Sequence, residues 1–279
     1  ASDDIKNIKK EISNNIDINL SKTFDEEKIS SNIENEISDV FKSFDFEKIA
    51  PHEKVVEKRF VDAISDGIKE AMLKFDELII MGQDIAEYGG VFKITEGFVE
   101  LFGKERVRNT PICESSIVEV AMGLSICNRK SIVELQFSDF ITSGFNPVVN
   151  YLAKIHYRWG QNADVVLRMP CGAGVGAGPF HSQTNEAWFT KTPGLIVVYP
   201  AFPEDAKGLL ISSIENPNPV LFFEHKALYR SIRGNVPEGY YNIEIGKAKL
   251  LRIGNDVTVI TYGAGAVSYT HLTLPTTPY

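Results

Sequence analysis

The sequence predicts an α/β fold, a parallel sheet covered by helices on both faces. Short, near-continuous apolar runs of strand type recur between residues 78 and 224, as in strands that are buried on both sides. They alternate with stretches whose apolar residues fall at helical spacing, and this alternation is typical of parallel sheets. With 43% hydrophobic residues, the chain of 279 residues can bury a sizeable core.

The predicted elements follow one another closely from residue 56. Ligands of parallel α/β sheets bind beyond the carboxyl ends of the strands, so we expect the chemistry in the loops that follow strands. Helices are predicted at 56–75, 115–126, 145–157 and 204–214, and strands at 78–81, 131–137, 164–169, 195–199 and 220–224.

The two ends of the chain differ from this pattern. Residues 1–52 are rich in Asp, Glu, Lys, Asn and Ser, which predicts a polar linker or arm. Within it, stretches such as residues 33–44 could form a short amphipathic helix, but the segment lacks a strong core signal. Residues 267–279 have no strand or helix period and are rich in Thr and Pro. We expect this tail to lie outside the fold, as an artefact of cloning, assembly or gene prediction.

The segment before that tail predicts the start of another domain. Residues 53–235 make up the main predicted α/β domain, and residues 236–266 form a connection with strands at 248–252 and 257–262. The second of these strands resembles the opening strand of a further α/β domain, which is expected to be truncated.

Charge, cysteines and motifs exclude several functions. The net charge of −8 argues against a nucleic-acid partner, and no apolar run approaches the roughly 18 residues of a membrane span. Cys113, Cys127 and Cys171 form no C-x-x-C pair, so neither a disulfide framework nor a zinc site is predicted, and a reducing cytoplasm fits best. The P-loop, G-x-S-x-G and H-E-x-x-H motifs are all missing from the sequence.

Glu114 is the first candidate site residue. It begins a predicted helix just after the turn signal at 109–111. Most such acids only interact with the helix dipole. Here apolar neighbours such as Ile112 and Ile117 predict partial burial, which raises a carboxyl pKa and suits the group to proton exchange near neutral pH.

A glycine-rich loop supplies the second candidate. Residues 171–182 read CGAGVGAGPFHS. A dinucleotide fingerprint would open a helix, and Pro179 interrupts the chain at that point, so the loop is not such a fingerprint. The glycines instead predict a flexible loop that brings His181, Ser182 and Gln183 to the strand ends. A loop histidine usually has no special role, but beside a cofactor it could act as an acid or base.

Five segments together resemble one known family. They are MGQDIAEYGGVFKITEGF (81–98), RNTPICESSI (108–117), ELQFSDF (134–140), GPFHSQTNEAWF (178–189) and NPNPVLFFEHKALYR (216–230). Through them, the chain is similar over residues 56–266 to the beta subunit of the decarboxylating component of 2-oxoacid dehydrogenase complexes, whose sheet is of the transketolase pyrimidine-domain type. The CES and HSQ contexts are more similar to the branched-chain enzyme than to the pyruvate enzyme. The polar N-terminus resembles the junction found where alpha and beta parts are fused in one bacterial chain.

The resemblance implies a thiamin-diphosphate site shared between two parts. An alpha part would hold the diphosphate and Mg²⁺, and this beta part the aminopyrimidine. Glu114 matches the glutamate that bonds the pyrimidine ring nitrogen, and His181 matches a histidine near the reacting carbon that could move protons and assist acyl transfer to a lipoyl group. Gln136 and Phe140 match pocket residues, and Ile112 would supply backbone or wall contacts.

The resemblance also implies further partners. The expected partners are an alpha subunit or fused alpha part and the lipoyl acyltransferase core, with two alpha–beta pairs forming a dimer of dimers. The GDG motif of the diphosphate and Mg²⁺ site is missing from this sequence, so the chain alone is expected to be inactive. A structural K⁺ is implied at Val166, Ser213, Asn216 and Asn218, although Asn216 departs from the pattern if the family carries an acid there.

Three alternatives stay open on the sequence. The chain could be a pyruvate dehydrogenase beta subunit. It could be an enzyme similar to transketolase or deoxyxylulose-phosphate synthase, although FHSQ and FFEHKALYR favour the dehydrogenase. It could also be a catalytically silent assembly module, which the presence of both Glu114 and His181 argues against.

Overall fold

The computed structural model describes residues 2–270, and the chain divides after Ser38 into two compact units. The first unit consists of helices α1 (Ser2–Asp25) and α2 (Ile33–Ser38), neither of which buries a residue. Helix α1 lies inside the predicted arm and was not expected. Its isoleucines fall at helical spacing but remain about half exposed. The helix therefore builds no core, in agreement with the weak core signal of this segment. The predicted domain boundaries themselves stay a prediction.

The second unit contains a small antiparallel ribbon of strands β1 (Val55–Arg59) and β8 (Arg233–Pro237). A helix was predicted from residue 56, but helix α3 (Phe60–Lys74) begins only at Phe60. Strand β1 forms because it pairs with a segment far along the chain, and local periodicity does not reveal such a partner.

A six-stranded sheet forms the centre of this unit. Every hydrogen-bonded pair of its strands is parallel, and the strand order is 3-2-4-5-7-6. The parallel sheet predicted from the apolar runs is therefore confirmed. The strands are β2 (Ile79–Gly82), β3 (Val107–Asn109), β4 (Ser131–Glu134), β5 (Val165–Cys171), β6 (Ile196–Val198) and β7 (Val220–His225).

Helices cover both faces of the sheet, as predicted. On one face, α3 and helix α7 (Pro203–Glu215) pack on residues such as Ile80 and Ile132. On the other face, helix α5 (Glu114–Ile126) and a π-helix (Pro147–Leu152) pack on Met81 and Val133. Consecutive strand residues enter opposite cores because side chains alternate along a strand.

Short helices complete the fold. The segment predicted as one helix at 145–157 is helical, but it is divided into the π-helix and helix α6 (Ile155–Trp159). The others, with their bounds, are α4 (Phe98–Phe102), α8 (Leu228–Ser231), α9 (Gly263–Thr270) and 3₁₀ helices at Ser138–Thr142, Pro179–His181 and Glu186–Trp188.

The strands predicted at 248–252 and 257–262 do not form. Their apolar residues are mostly exposed, and within residues 2–270 no segment pairs with them, whereas a strand needs a hydrogen-bonded neighbour. Residues 267–270 belong to α9, so the lack of helical structure expected there was wrong. Residues 271–279 of the predicted tail lie outside the described residues. No described helix is both long and apolar enough to cross a membrane.

Candidate functional site

The candidate site lies where the strand order reverses. Strand β2 stands between β3 and β4, and the chain moves from β2 to one side and then returns past it to the other. Ligands of open α/β sheets bind at this kind of switch point, beyond the carboxyl ends of the strands. Gln83 and Asp84 follow β2 there, and Gln136 follows β4.

Glu114 is held at the switch point as the first residue of α5. Its side chain is buried, with 8% of its surface exposed. The Gln83 Nε2 donates a hydrogen bond to the Glu114 Oε1 over 3.1 Å. Ile117 and Val118 in the same helix turn are buried and fix the helix on the sheet. The sequence correctly predicted a buried carboxylate, but Ile112 is 83% exposed and does not cover it.

Gln136 and Phe140 lie on the segment after β4. The Gln136 Nε2 donates to the Asp84 Oδ2 over 3.3 Å, which links the loops after β4 and β2. The ring of Phe140 is partly buried and meets the ring of Phe137 edge to face at 5.7 Å. The backbone of this segment also approaches α5, because a Cβ added at Gly144 would lie 3.2 Å from the Glu114 carbonyl oxygen.

His181 is brought to the same segment by the glycine-rich loop. Its ring lies edge to face with Phe137 at 4.7 Å and with Phe140 at 5.4 Å. The Nδ1 of His181 is buried and has no hydrogen-bond partner among the described residues. An imidazole nitrogen in this state can exchange a hydrogen bond or a proton with a ligand. The structure therefore places the rings of His181 and Phe140 in contact.

Unpaired buried polar atoms concentrate at this edge of the sheet. In the described part of the chain, five of the eight such side-chain atoms belong to Asp139, His181, Asn185, Glu186 and Lys226. Buried polar groups are normally hydrogen-bonded, so a cluster of exceptions indicates a place for a ligand or ordered water.

Lys226 and Gln83 were missed by the sequence reasoning. Lys226 is 4% exposed, and its Nζ has no hydrogen-bond partner in the described residues and lies 5.2 Å from the Phe137 ring centroid. Burial lowers the pKa of its ammonium group. Lys226 directly follows β7 and Gln83 directly follows β2. Both therefore lie where the strand-end rule places the chemistry, but that rule does not by itself single out these two residues.

A second buried polar group lies within the sheet. The Arg168 guanidinium donates to both carboxylate oxygens of Glu224, over 2.7 and 2.8 Å, and to Glu134. The hydroxyl of Tyr229 donates to Glu224 over 2.6 Å. Burial opposes the charge on Arg168, but the two carboxylates outweigh it and keep its pKa above the ordinary value. This network ties β4, β5 and β7 together.

The residues implied for K⁺ lie at the opposite end of the sheet. The Asn216 Oδ1 accepts from the backbone N–H and the Nδ2 of Asn218, and Asn218 bonds the backbone of Lys42 through both its amide atoms. The hydroxyl of Ser213 donates to a carbonyl of its own helix. The resemblance implies K⁺ binding largely through backbone oxygens, so these side-chain contacts do not test the ion site. K⁺ at this position stays a prediction.

The same end of the sheet contains a fixed cation. The Lys130 Nζ donates to the Asp164 Oδ1 over 3.2 Å and to the Ile214 carbonyl over 3.1 Å. Within residues 2–270 no group of three or more His, Cys, Asp or Glu side chains could hold a metal ion.

Comparisons with known proteins show the family of this chain. A family model described as "Transketolase, pyrimidine binding domain" matches residues 57–231. The chain is 45% identical over 206 residues to the 2-oxoisovalerate dehydrogenase subunit beta of Bacillus subtilis. It is 42% identical over 206 residues to the pyruvate dehydrogenase E1 component subunit beta of Staphylococcus epidermidis. Each match covers 73% of this chain and 63% of the relative.

The fold has a counterpart among solved structures. A chain described as a split gene transketolase, inactive beta4 tetramer, superposes with a TM-score of 0.58 and is 21% identical. The match covers 74% of this chain and 62% of that chain, and it supports the fold alone. All five segments that carry the resemblance lie inside residues 57–231. The chain belongs to the transketolase pyrimidine-binding domain family, which confirms the family and the fold type predicted from the sequence.

Proposed function

We propose that this chain is the beta part of a thiamin-diphosphate-dependent 2-oxoacid dehydrogenase and supplies the pyrimidine side of its active site. The observation that carries the proposal is the buried Glu114 at the switch point, with one carboxylate oxygen fixed by Gln83. Membership of the pyrimidine-binding family supports it, as do relatives named as 2-oxoacid dehydrogenase beta subunits. The chain spans 63% of the length of those relatives.

The free oxygen of Glu114 fits a ring nitrogen. Gln83 occupies Oε1, and no donor in the described residues reaches Oε2. Glu114 can therefore bond the pyrimidine nitrogen through Oε2 without losing its anchor. Phe140 offers a ring that can pack on the pyrimidine, and Gln136, four residues before it, is linked to Asp84 after β2. When bound, thiamin diphosphate supplies the electron sink for decarboxylation.

His181 is assigned the proton movements around the reacting carbon. Its Nδ1 is buried without a partner among the described residues, and its ring orientation is fixed by Phe137 and Phe140. A histidine held in this way can donate or accept a proton as the acyl group passes to a lipoyl group.

Exposed apolar residues beside the site support an alpha partner. Ile112, two residues before Glu114, is 83% exposed, and Phe180, next to His181, is 74% exposed. Large apolar side chains that flank buried polar groups are typical of a surface covered by another protein. We assign the diphosphate and Mg²⁺ to this alpha part, because the GDG motif is missing from the present sequence.

The assembly and substrate are finer parts of the proposal. The acyl acceptor is a lipoyl domain of the acyltransferase core, and two alpha–beta pairs form a dimer of dimers. The substrate is a branched-chain 2-oxo acid of the 2-oxoisovalerate type, with pyruvate as the alternative. Identities of 45% and 42% to relatives of the two types lie too close to separate them. The substrate assignment therefore rests on the CES and HSQ contexts.

The test combines the chain with an alpha part of the same enzyme type, thiamin diphosphate and Mg²⁺. Decarboxylation of 2-oxoisovalerate and of pyruvate is measured with an artificial electron acceptor. We expect 2-oxoisovalerate to react faster, and Glu114→Ala to lower the rate by on the order of 10²-fold or more, as for the loss of an essential proton-transfer group. Glu119→Ala is the matched control, because Glu119 is an exposed glutamate on the same helix.

Each contrary outcome removes a different part of the proposal. An unchanged rate for Glu114→Ala contradicts the role of Glu114. A clear preference for pyruvate contradicts the substrate assignment. A wild-type chain that binds the alpha part but supports no turnover favours the silent assembly module instead.

A further inference from the structure

The chain on the carboxyl side of His181 is anchored by the 3₁₀ helix Ser138–Thr142. The Asp139 Oδ1 accepts hydrogen bonds from the backbone N–H groups of Ser182 and Gln183, each over 3.1 Å. The Asn185 Nδ2 donates to the Ser138 carbonyl over 2.9 Å. Asp139 is 5% exposed, so both of its bonds are shielded from water. A buried carboxylate that accepts backbone N–H groups forms strong, charge-assisted bonds.

The chain before His181 offers no comparable anchor within the described residues. Gly172, Gly174, Gly176 and Gly178 all have positive φ angles, and the residues from 173 to 180 are exposed. The base of the loop is closed by a bond from the Gly172 N–H to the Gln183 carbonyl over 2.8 Å. The position of His181 is therefore set from its carboxyl side, where Asp139 takes up the next two N–H groups.

The segment that carries Asp139 also carries the rings that contact His181. Phe137 and Phe140 flank Asp139 in the sequence, and both meet the His181 ring edge to face. One short segment therefore fixes both the backbone and the ring orientation of His181. The second oxygen of Asp139, Oδ2, is buried without a hydrogen-bond partner in the described residues. Asp139 therefore holds the loop through Oδ1.

We propose that Asp139 is the positioning residue of His181: it docks the glycine-rich loop so that the imidazole faces Phe137 and Phe140. The docking follows from the contacts of this chain alone. Only its consequence, the correct placement of a proton-transfer group, rests on the proposed function.

The docking is tested on the chain without cofactor or substrate. The sequence has five histidines, so ¹³C-histidine labelling gives few ring signals, and loss of a signal in His181→Gln assigns His181. The wild-type His181 signal is expected to be shifted by the rings of Phe137 and Phe140. In Asp139→Ala we expect it to move toward the signal of the exposed His52. In Asp139→Asn it is expected to stay, because the amide oxygen still accepts both N–H groups.

Controls separate docking from general stability. Asp62→Ala removes a partly buried aspartate that is paired with Arg59, and it is expected to leave the His181 signal unchanged. If Asp139→Ala does not fold, Asp139→Ser replaces it, since one short hydroxyl cannot accept both N–H groups. An unmoved His181 signal in a folded Ala or Ser variant overturns the proposal, even if the melting temperature falls. The proposal is also overturned if the His181 signal moves as far in Asp139→Asn as in Asp139→Ala.

The complex with an alpha part gives a second readout. Asp139→Ala is expected to lower acyl transfer to a lipoyl domain by on the order of 10²-fold, a typical result of misplacing a reacting group by about 1 Å. Asp139→Asn is expected to restore most of that rate, and a failure to do so contradicts the positioning role. If the wild-type complex catalyses nothing, the proposed function fails while the histidine signals still decide the docking.

Discussion

Two buried polar regions of this domain differ in how completely they are paired. In the Arg168 network, the guanidinium is bonded to Glu134 and Glu224, and Tyr229 bonds Glu224 as well. At the site edge, Asp139, His181 and Lys226 each leave a buried polar atom without a partner among residues 2–270. Both regions are shielded from water, so burial alone does not identify a functional site.

The difference indicates separate roles. In a paired buried network, removing one side chain leaves its partners buried without hydrogen bonds. Such a network is therefore expected to contribute mainly to the free energy of unfolding. Unpaired buried atoms weaken the fold and are retained where a ligand or partner completes them. Substitutions in the Arg168 network should therefore affect unfolding, and substitutions at the site edge should affect function more than unfolding.

The largest effect is expected for Arg168→Met. It leaves Glu134 and Glu224 buried beside each other without their cation, which we expect to lower the free energy of unfolding by about 3–5 kcal/mol. Urea denaturation measures this loss. Arg233→Met is the control, since its ion pair with Glu57 is more than half exposed and is worth at most about 1 kcal/mol. Equal losses of unfolding free energy in Arg168→Met and Arg233→Met would contradict the stabilising role of the Arg168 network.

A smaller effect is expected for Gly172→Ala at the base of the glycine-rich loop. Gly172 has a φ of +82°, and an added Cβ would lie 2.2 Å from the His225 Nε2. We expect a loss of about 2–3 kcal/mol from backbone strain and displacement of His225. Gly176→Ala has a similar φ but nothing within 4 Å, so its loss should be about 1 kcal/mol. Thermal and urea unfolding measure the stability of both variants. A larger loss for Gly176→Ala than for Gly172→Ala would contradict the close contact between Gly172 and His225.

The smallest effect, of opposite sign, is expected for Lys226→Met. It removes an unpaired buried charge, so we expect the free energy of unfolding to rise by about 1 kcal/mol at pH 7. Burial lowers the pKa of Lys226 in the folded state below its ordinary value of 10.5. Between the pKa of Lys226 in the folded state and 10.5, the unfolded chain binds more protons than the folded chain. The free-energy penalty of burying the Lys226 charge therefore shrinks as the pH rises toward 10.5. The advantage of Lys226→Met should therefore narrow from about pH 7 to about pH 10, and a widening gap would contradict the assignment.

The sequence predicted the sheet well because its signal is local. Apolar runs such as VLFF at residues 220–223 are fully buried, and the run itself is the signal for the strand. The ribbon of β1 and β8 was missed because its pairing joins distant segments. The strands predicted at 248–252 and 257–262 do not form, because an apolar pattern alone does not supply the hydrogen-bonded neighbour that a strand needs.

The site was predicted only in part for a similar reason. Glu114 and His181 were found through motifs that extend over several residues. Gln83, Asp139 and Lys226 make their contacts with residues far along the chain. Such contacts depend on how the loops meet at the switch point, and a sequence pattern does not show that.

Glu114 is proposed to activate the bound cofactor from the pyrimidine side. The most direct measurement is the rate of hydrogen–deuterium exchange at the thiazolium C2 of thiamin diphosphate, bound to the complex of this chain with an alpha part. We predict that Glu114→Gln slows this exchange by on the order of 10²-fold or more, while Glu119→Gln leaves it unchanged. Equal exchange rates in the wild-type and Glu114→Gln complexes, with cofactor bound in both, would contradict this role of Glu114.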